Sequence, residues 1–325
     1  MACDRKVRSA GRLLQYNKIH HNAGYGLHFW AAPRGTATRH YIAEGNEVFG
    51  NGGGVVVGGT PNEASPPGDG LPHYVEVRYN VVHHNIIVGL NYLGFGCHPA
   101  SNDNLFHHNT VYLNGQTQLN IIGASGTSVQ VKNNIIYGRP YPDYRILVFL
   151  GNSNLASEAL DGNIYFMEGA GPATTPGPFW FRCTGTPQVD SYYSFDQMRS
   201  TGIVQDNSCN PASTCGSSTA IMDSRSRWID PLVVDPTTSL WTSPIGATRG
   251  DFHLRRGSPA AGGGVCCDVA NSGLDIDGDA VPSCAPVTCD ASVSGVSVGA
   301  DYPLDDNADG IANRFECSPP DGTLC

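Results

Sequence analysis

The stretch NVVHHN, Asn80 to Asn85, decides the fold once it is read beside its copies. The same pattern returns as NKIHHN at Asn17, NEVFGN at Asn46, NTVYLN at Asn109, NIIYGR at Asn134 and NIYF at Asn163, at steps of 29, 34, 29, 25 and 29 residues. Aligned on the first Asn, the copies form columns. Three positions before it stand Leu14, Ala43, Val77, Phe106, Val131 and Leu160; two after it stand Ile19, Val48, Val82, Val111, Ile136 and Tyr165. Ten after it stand Leu27, Val56, Leu90 and Leu119, and five after it Asn22, Asn51, Asn85 and Asn114, then Arg139. The apolar runs are too short for helices, and the alternation around them has the period of two that belongs to strands. A period of this length with like residues in register predicts a solenoid, its coils stacked in parallel and its interior filled by columns of Leu, Ile and Val. An Asn at each corner is expected to take the left-handed backbone conformation, with its amide bonding the next coil.

A leucine-rich repeat shares the turn Asn and the period but requires a dense Leu skeleton. The skeleton here is Val and Ile, and one step is 34 residues. The Asn-x-[IV]-x-x-Asn coils resemble the repeats of the right-handed parallel β-helix proteins of the pectate-lyase-like superfamily. The segment Tyr193 to Gly264, with SFDQM, WIDPLVVDP and DFHLRRGSPAAGGG, followed by DIDGDAVP and VSVGADY, is similar to the closing segment of many secreted β-helix proteins. The resemblance implies an all-β, right-handed parallel β-helix with an irregular, disulfide-rich C-terminal closing segment. It is specific for architecture and weak for activity, because lyases, hydrolases, epimerases and non-enzymes share this superfamily. Such helices usually begin with an amphipathic cap, whereas this chain enters a coil at about Leu13.

The expected divisions are coils over 13–168, a closing segment over 169–303 and an acidic tail over 304–325. GAGPATTPGP, Gly169 to Pro178, reads as a Gly/Pro loop, and a short helix is expected near Ser194 to Ser200. Long loops are expected at Ala31–Arg39, Gly58–Leu71 and Gly138–Tyr144.

Composition excludes several classes. The 325 residues hold 40 Gly and are only 15% charged, which argues against a helix bundle or coiled coil. No apolar run is long enough to cross a membrane as a helix. Net charge is −10 with three Lys, an unfavourable balance for a nucleic-acid binder. Nine of the 11 Cys follow residue 150, in loop-rich sequence without a CxxC pair and with only His253 nearby. Disulfides in an oxidising compartment are therefore expected in preference to zinc. The N-terminal MACDRKVRSAGRLL has no apolar core of a signal peptide.

The acidity is confined to the C-terminal segment. There DDNADGIANRFE, Asp305 to Glu316, fits D-x-[DN]-x-[DN]-G-x5-E in full. Calcium takes six to eight oxygens, and Asp305, Asn307, Asp309, the Ile311 carbonyl, Asn313 and a bidentate Glu316 supply them. The loop looks like those of EF-hand-like and thrombospondin type-3-like repeats, the latter fitting better because no helix is expected before Asp305. Asp275, Asp277 and Asp279 read as a turn before the last strand.

The candidate catalytic residues share a column two positions before the repeat Asn: Gln15, Glu44, Arg78, His107, Lys132 and Asp161, expected to point outward. Stacking at ~4.8 Å places Glu44 beside Arg78 and Arg78 beside His107. Glu76 lies on the same side, its Cβ ~8 Å from that of Glu44, a separation that suits the two carboxyls of an inverting glycosidase. Arg78, His107 or Lys132 would instead be the base of a β-elimination on a uronate. The competing reading is a ladder of exposed cross-strand ion pairs. His20 and His83 share a column with Phe49, Tyr112, Tyr137 and Phe166, a stacking ladder. The doublets His20/His21, His83/His84 and His107/His108 are not expected to share a metal ion, because alternation sends strand neighbours to opposite faces.

The function expected from these readings is binding of extracellular polysaccharide, with cleavage of lyase or glycoside hydrolase type as its catalytic form, by a secreted or cell-surface monomer carrying calcium. The alternative is a non-catalytic adhesive structural protein.

Overall fold

The computed structural model describes residues 12–31, 39–59, 73–93, 104–126, 128–139, 146–151, 153–156, 159–183, 189–200, 203–205, 218–220, 225–235, 251–255 and 257–261, with Gly264 and Gly299. The calcium loop, the acidic cluster at Asp275–Asp279, the expected disulfides and most of the three expected loops lie outside these residues.

Three parallel sheets wrap one core. Sheet 1 stacks Arg12–Gln15, Arg39–Glu44, His73–Arg78, Asn104–His107, Val129–Lys132 and Leu160–Asp161. Sheet 2 stacks Lys18–His20, Glu47–Phe49, Val81–His83, Thr110–Tyr112, Ile135–Gly138, Ile164–Met167 and Arg227–Trp228. Sheet 3 stacks Tyr25–Ala31, Gly53–Gly59, Val88–Leu93, Thr117–Ile122, Ile146–Gly151 and Phe179–Cys183, and Val189–Tyr193 then turns back antiparallel to the last of these. Each chain turn contributes one short strand to each sheet, so parallel pairing of every sheet follows from the coil itself. The pairing continues past residue 168, through Phe179–Cys183 and Arg227–Trp228.

The columns read from the sequence run up the interior. Val77 lies between Ala43 and Phe106, Val131 pairs with Phe106 and Leu160, and Val82 lies between Val48 and Val111. All are fully buried in one cluster. In sheet 3 the second coil departs by one residue: Leu27 pairs with Val55, not Val56, and Val55 with Leu90. The corner after Asn51 reaches its strand at Gly53, one residue sooner than Asn22 reaches Tyr25. Gly52 lies in this corner, where a Cβ would sit 2.3 Å from the Ala23 carbonyl oxygen.

Two files of Asn hold the corners. Asn17, Asn46, Asn80, Asn109, Asn134 and Asn163 form the first: each Nδ2 donates to the next Oδ1, as from Asn80 to Asn109 at 3.0 Å and Asn109 to Asn134 at 3.0 Å. The second, Asn22–Asn51–Asn85–Asn114, ends where Arg139 replaces Asn, and there Gln118 Oε1 accepts from Asn114 Nδ2 at 3.0 Å. The left-handed residue is not the Asn, as the sequence reading had it, but the residue before it. Tyr16, Gly45, Tyr79, His108, Asn133 and Gly162 precede the first file and His21, Gly50, His84 and Leu113 the second, all with φ between 45° and 67°. The Asn is needed for its side chain: Asn109 Nδ2 also reaches the Val77 and His107 carbonyls at 2.8 and 3.1 Å, so one amide satisfies several buried backbone groups. The left-handed strain falls on the neighbour and is outweighed by these bonds.

The short helix is present at Phe195–Ser200. Its capping is reciprocal: the Gln197 N–H donates to Ser194 Oγ at 3.2 Å and the Ser194 N–H to Gln197 Oε1 at 2.9 Å. Phe195 and Met198 are buried against the end of the core. The strand Asp251–Leu254 pairs with Val233–Asp235 and lies on the outer side of sheet 2, where Phe252 packs with Val81 and Tyr112, and Leu254 with Ile135 and Ile164.

Candidate functional site

The expected column is in register along its whole length: Gln15, Glu44, Arg78, His107, Lys132 and Asp161 follow one another up the edge of sheet 1. Its environment differs from the expectation. Glu44 is 2% exposed, Glu76 6%, Arg78 9%, His107 1% and Lys132 1%, so this is a buried row and not an exposed ladder. The rings at the left-handed corners lie beside it. Tyr79 stacks on His108 with centroids 5.1 Å apart and meets His107 edge-on.

Within the row the charges are engaged with one another. Arg78 donates through Nη2 to Glu44 Oε2 at 3.0 Å and through Nη1 to Glu76 Oε1 at 2.8 Å. Gln15 Nε2 donates to the same Glu44 oxygen at 3.2 Å. The guanidinium therefore occupies the space between the two carboxylates where an inverting mechanism would hold its water. Burial disfavours the Arg78 charge, but Glu76 and Glu44 more than offset it and hold the guanidinium above its ordinary range. Among the described residues Arg78 Nε is buried without a partner.

A chain of hydrogen bonds leaves the same cluster. His107 Nε2 lies 2.9 Å from Glu76 Oε1, His107 Nδ1 lies 2.8 Å from His108 Nδ1, and His108 Nε2 lies 3.2 Å from Asn133 Nδ2. A carboxylate only accepts, so His107 carries its proton on Nε2 and accepts at Nδ1; His108 then donates from Nδ1 and accepts from the Asn133 amide. Burial, then the neighbouring His107, pushes His108 well below the usual imidazole range. The second doublet repeats the arrangement: His83 Nδ1 to His84 Nδ1 is 2.9 Å and His83 Nε2 to Glu47 Oε1 is 3.4 Å. Burial lowers His84 to about 3. At its far end the row closes on Asp161, which accepts from Arg225 Nε at 2.7 Å and from the Arg225 and Gly162 backbone N–H groups.

Thus the structure brings Glu44, Glu76, Arg78 and His107 into one hydrogen-bonded cluster, with Lys132 in the next coil between His107 and Asp161. The calcium ligands Asp305, Asn307, Asp309, Ile311, Asn313 and Glu316 lie outside the described residues. Among the described residues no group of three or more His, Cys, Asp or Glu is placed to hold a metal ion, and no helix is long and apolar enough to cross a membrane.

The sequence reading passed over an aromatic file on the outer face of sheet 3. Asn120, Phe149, Trp180 and Tyr192 are consecutive partners there. Phe149 and Trp180 have centroids 4.5 Å apart, and Tyr192, 46% exposed, stacks on Trp180 at 5.8 Å. Arg182 lies over the Trp180 ring at 4.4 Å, and Asp190 accepts from both Arg182 Nε and Trp180 Nε1, at 2.7 and 3.0 Å. At the opposite end of the face stand Tyr25, His28 and Trp30, with Asn91 donating to the Tyr25 hydroxyl at 3.1 Å. The signal was available: in FWFRC, Phe179 and Phe181 are core residues, so Trp180 must face outward.

Residues 6–158 match the family model described as right handed beta helix region. With the three stacked parallel sheets, this match gives the chain a right-handed parallel β-helix fold. No curated protein and no solved structure matches the chain.

Proposed function

We propose that this is a secreted β-helix protein that binds extracellular polysaccharide along the outer face of sheet 3. The observation that carries the reading is the aromatic file Phe149–Trp180–Tyr192 on the outer face, with the half-buried Asn120 beside it. Sugar rings carry apolar C–H faces and a rim of hydroxyls. Trp and Tyr offer flat apolar surface at low entropic cost, and amides and Asp190 offer hydrogen bonds. Three strand steps separate Asn120 from Tyr192 in the sheet order, a span of ~14 Å that suits two or three sugar units of a chain. The calcium loop at Asp305–Glu316 would order the acidic tail, with disulfides serving the closing segment.

A second reading places cleavage at Glu44, Glu76, Arg78 and His107, because two carboxylates and an imidazole converge there. A rigid adhesive rod without catalysis is the third. Affinity electrophoresis of the whole protein against a panel of neutral and uronate polysaccharides separates them. Binding that falls roughly tenfold or more in Trp180→Ala, with no reducing ends and no ultraviolet-absorbing product, supports the first reading. Product release abolished by Glu44→Gln or Glu76→Gln supports the second. Absence of both signals across the panel overturns the first two and leaves the adhesive rod.

A further inference from the structure

The three histidine doublets share a geometry that strand alternation forbids and the corners create. The second His of each is left-handed, with φ of 58° at His21, 50° at His84 and 52° at His108. This folds the chain back, so that neighbouring rings meet nearly at right angles (89°, 87° and 81°) with Nδ1 atoms 2.8, 2.9 and 2.8 Å apart. The expectation that adjacent histidines cannot address one ion therefore fails at its premise. Three repeats with one geometry show that the backbone imposes it.

The doublets differ in what surrounds them. His83, His84, His107 and His108 are buried, and His83 and His107 reach Glu47 and Glu76. His20 and His21 are exposed. Among the described residues they hydrogen-bond each other. The His20 ring is held flat on Phe49, centroids 4.9 Å apart and 19° from parallel, and His21 meets the edge of the same ring. One doublet is thus prepared, held and open to solvent.

We infer that His20 and His21 form a bidentate site for a divalent transition-metal ion of right-angled coordination, of the Cu(II) or Ni(II) class. Metal–imidazole bonds are ~2.0 Å long, so two nitrogens at a right angle about the ion stand ~2.8–2.9 Å apart, whereas a tetrahedral ion sets them ~3.3 Å apart. The 2.8 Å between the Nδ1 atoms is set by the hydrogen bond that joins the rings, and it equals the right-angled separation, so such an ion requires the rings to turn and not to spread. Both ligands must present a bare Nδ1. The proton now shared between the rings moves to the outer Nε2 of the ring that carries it, and no net proton is released. This inference does not rest on the polysaccharide reading.

The test titrates CuCl2 into the whole protein at neutral pH against glycine as competitor, with frozen-solution electron paramagnetic resonance. One ion per chain with two equatorial imidazole nitrogens is expected, bound roughly tenfold or more weakly when either ring is removed, because a chelate becomes a single contact. His20→Phe preserves a ring to stack on Phe49 and tests the ligand apart from the fold; His21→Gln tests the partner. Zn2+ should bind more weakly than Cu2+. Copper held by glycine alone, copper binding unchanged in both variants, or a signal with one nitrogen each overturns the inference.

Discussion

Two outward files, built by the same coil, have opposite fates. On sheet 1 the file Gln15–Glu44–Arg78–His107–Lys132–Asp161 is buried and its charges face one another. On sheet 3 the file Asn120–Phe149–Trp180–Tyr192 stays partly open, with Tyr192 stacked on Trp180 and Phe149 tilted against it. Outward in a solenoid therefore does not mean exposed. A charged file that is covered becomes part of the protein's interior and must be satisfied internally. An aromatic file left uncovered is surface the fold does not need for its own stability.

The largest expected effect follows from the covered file. Arg78→Met leaves Glu44 and Glu76 buried without their cation and should cost ~3–5 kcal/mol, read as a lower urea midpoint at unchanged slope. A cost under ~1 kcal/mol would mean that the row behaves as an exposed ladder, and the contrast with sheet 3 would fail.

Acid probes the buried imidazoles. Burial holds His84 at about 3 and His108 well below the usual imidazole range, whereas in the unfolded chain both titrate near 6.5. A folded pKa below the unfolded one means that the unfolded chain takes the proton first. Stability should therefore be level above pH 6.5, fall from there toward pH 3, and total a few kcal/mol. Melting temperatures across that window check it, and His84→Gln should make the slope shallower. A midpoint that does not move between pH 7 and pH 4 would place these imidazoles in contact with water.

Next in size is Asn109→Ala, in the inner ladder. It removes donors to Val77, His107 and Asn134 and the acceptor for Asn80. Buried groups left unsatisfied cost ~1–3 kcal/mol each, partly relieved by water, so a net loss of ~2–3 kcal/mol is expected. The same change at Asn17, at the exposed first coil, should cost under ~1 kcal/mol.

Much of this was legible in the sequence, for a physical reason. Parallel coils in register convert one-dimensional spacing into vertical neighbours, so Glu44 beside Arg78 and Asn80 beside Asn109 follow from counting. What counting misses is anything that depends on a corner's conformation. It put Val56 where Val55 stands, because the corner after Asn51 is one residue shorter than the others. It assigned the left-handed backbone to the Asn and not to the residue before it. It sent His83 and His84 to opposite faces, because alternation holds within a strand and fails at a left-handed turn. Burial of the charged row was equally hidden: the polarity of Glu44 and Arg78 argues for water, and only their mutual pairing in space overrides it. The aromatic file was missed for the converse reason, since Phe149 and Trp180 in apolar strings look like core.

The smallest effect on stability is expected at that file, and it sharpens the comparison most. Trp180 touches Phe149, Tyr192 and Arg182 on an outer face, so Trp180→Ala should cost ~1 kcal/mol or less. Tyr192→Ala, at the rim, should cost still less. If the open face serves a partner, the two variants should lose polysaccharide affinity while melting close to the parent, whereas Arg78→Met should lose stability and leave affinity per folded molecule intact. The crossing of those two responses, not either alone, separates a surface kept for binding from one that holds the coil together. A large loss of stability in Trp180→Ala would put the file in the structural class with the charged row, and the proposed binding face would have no independent support.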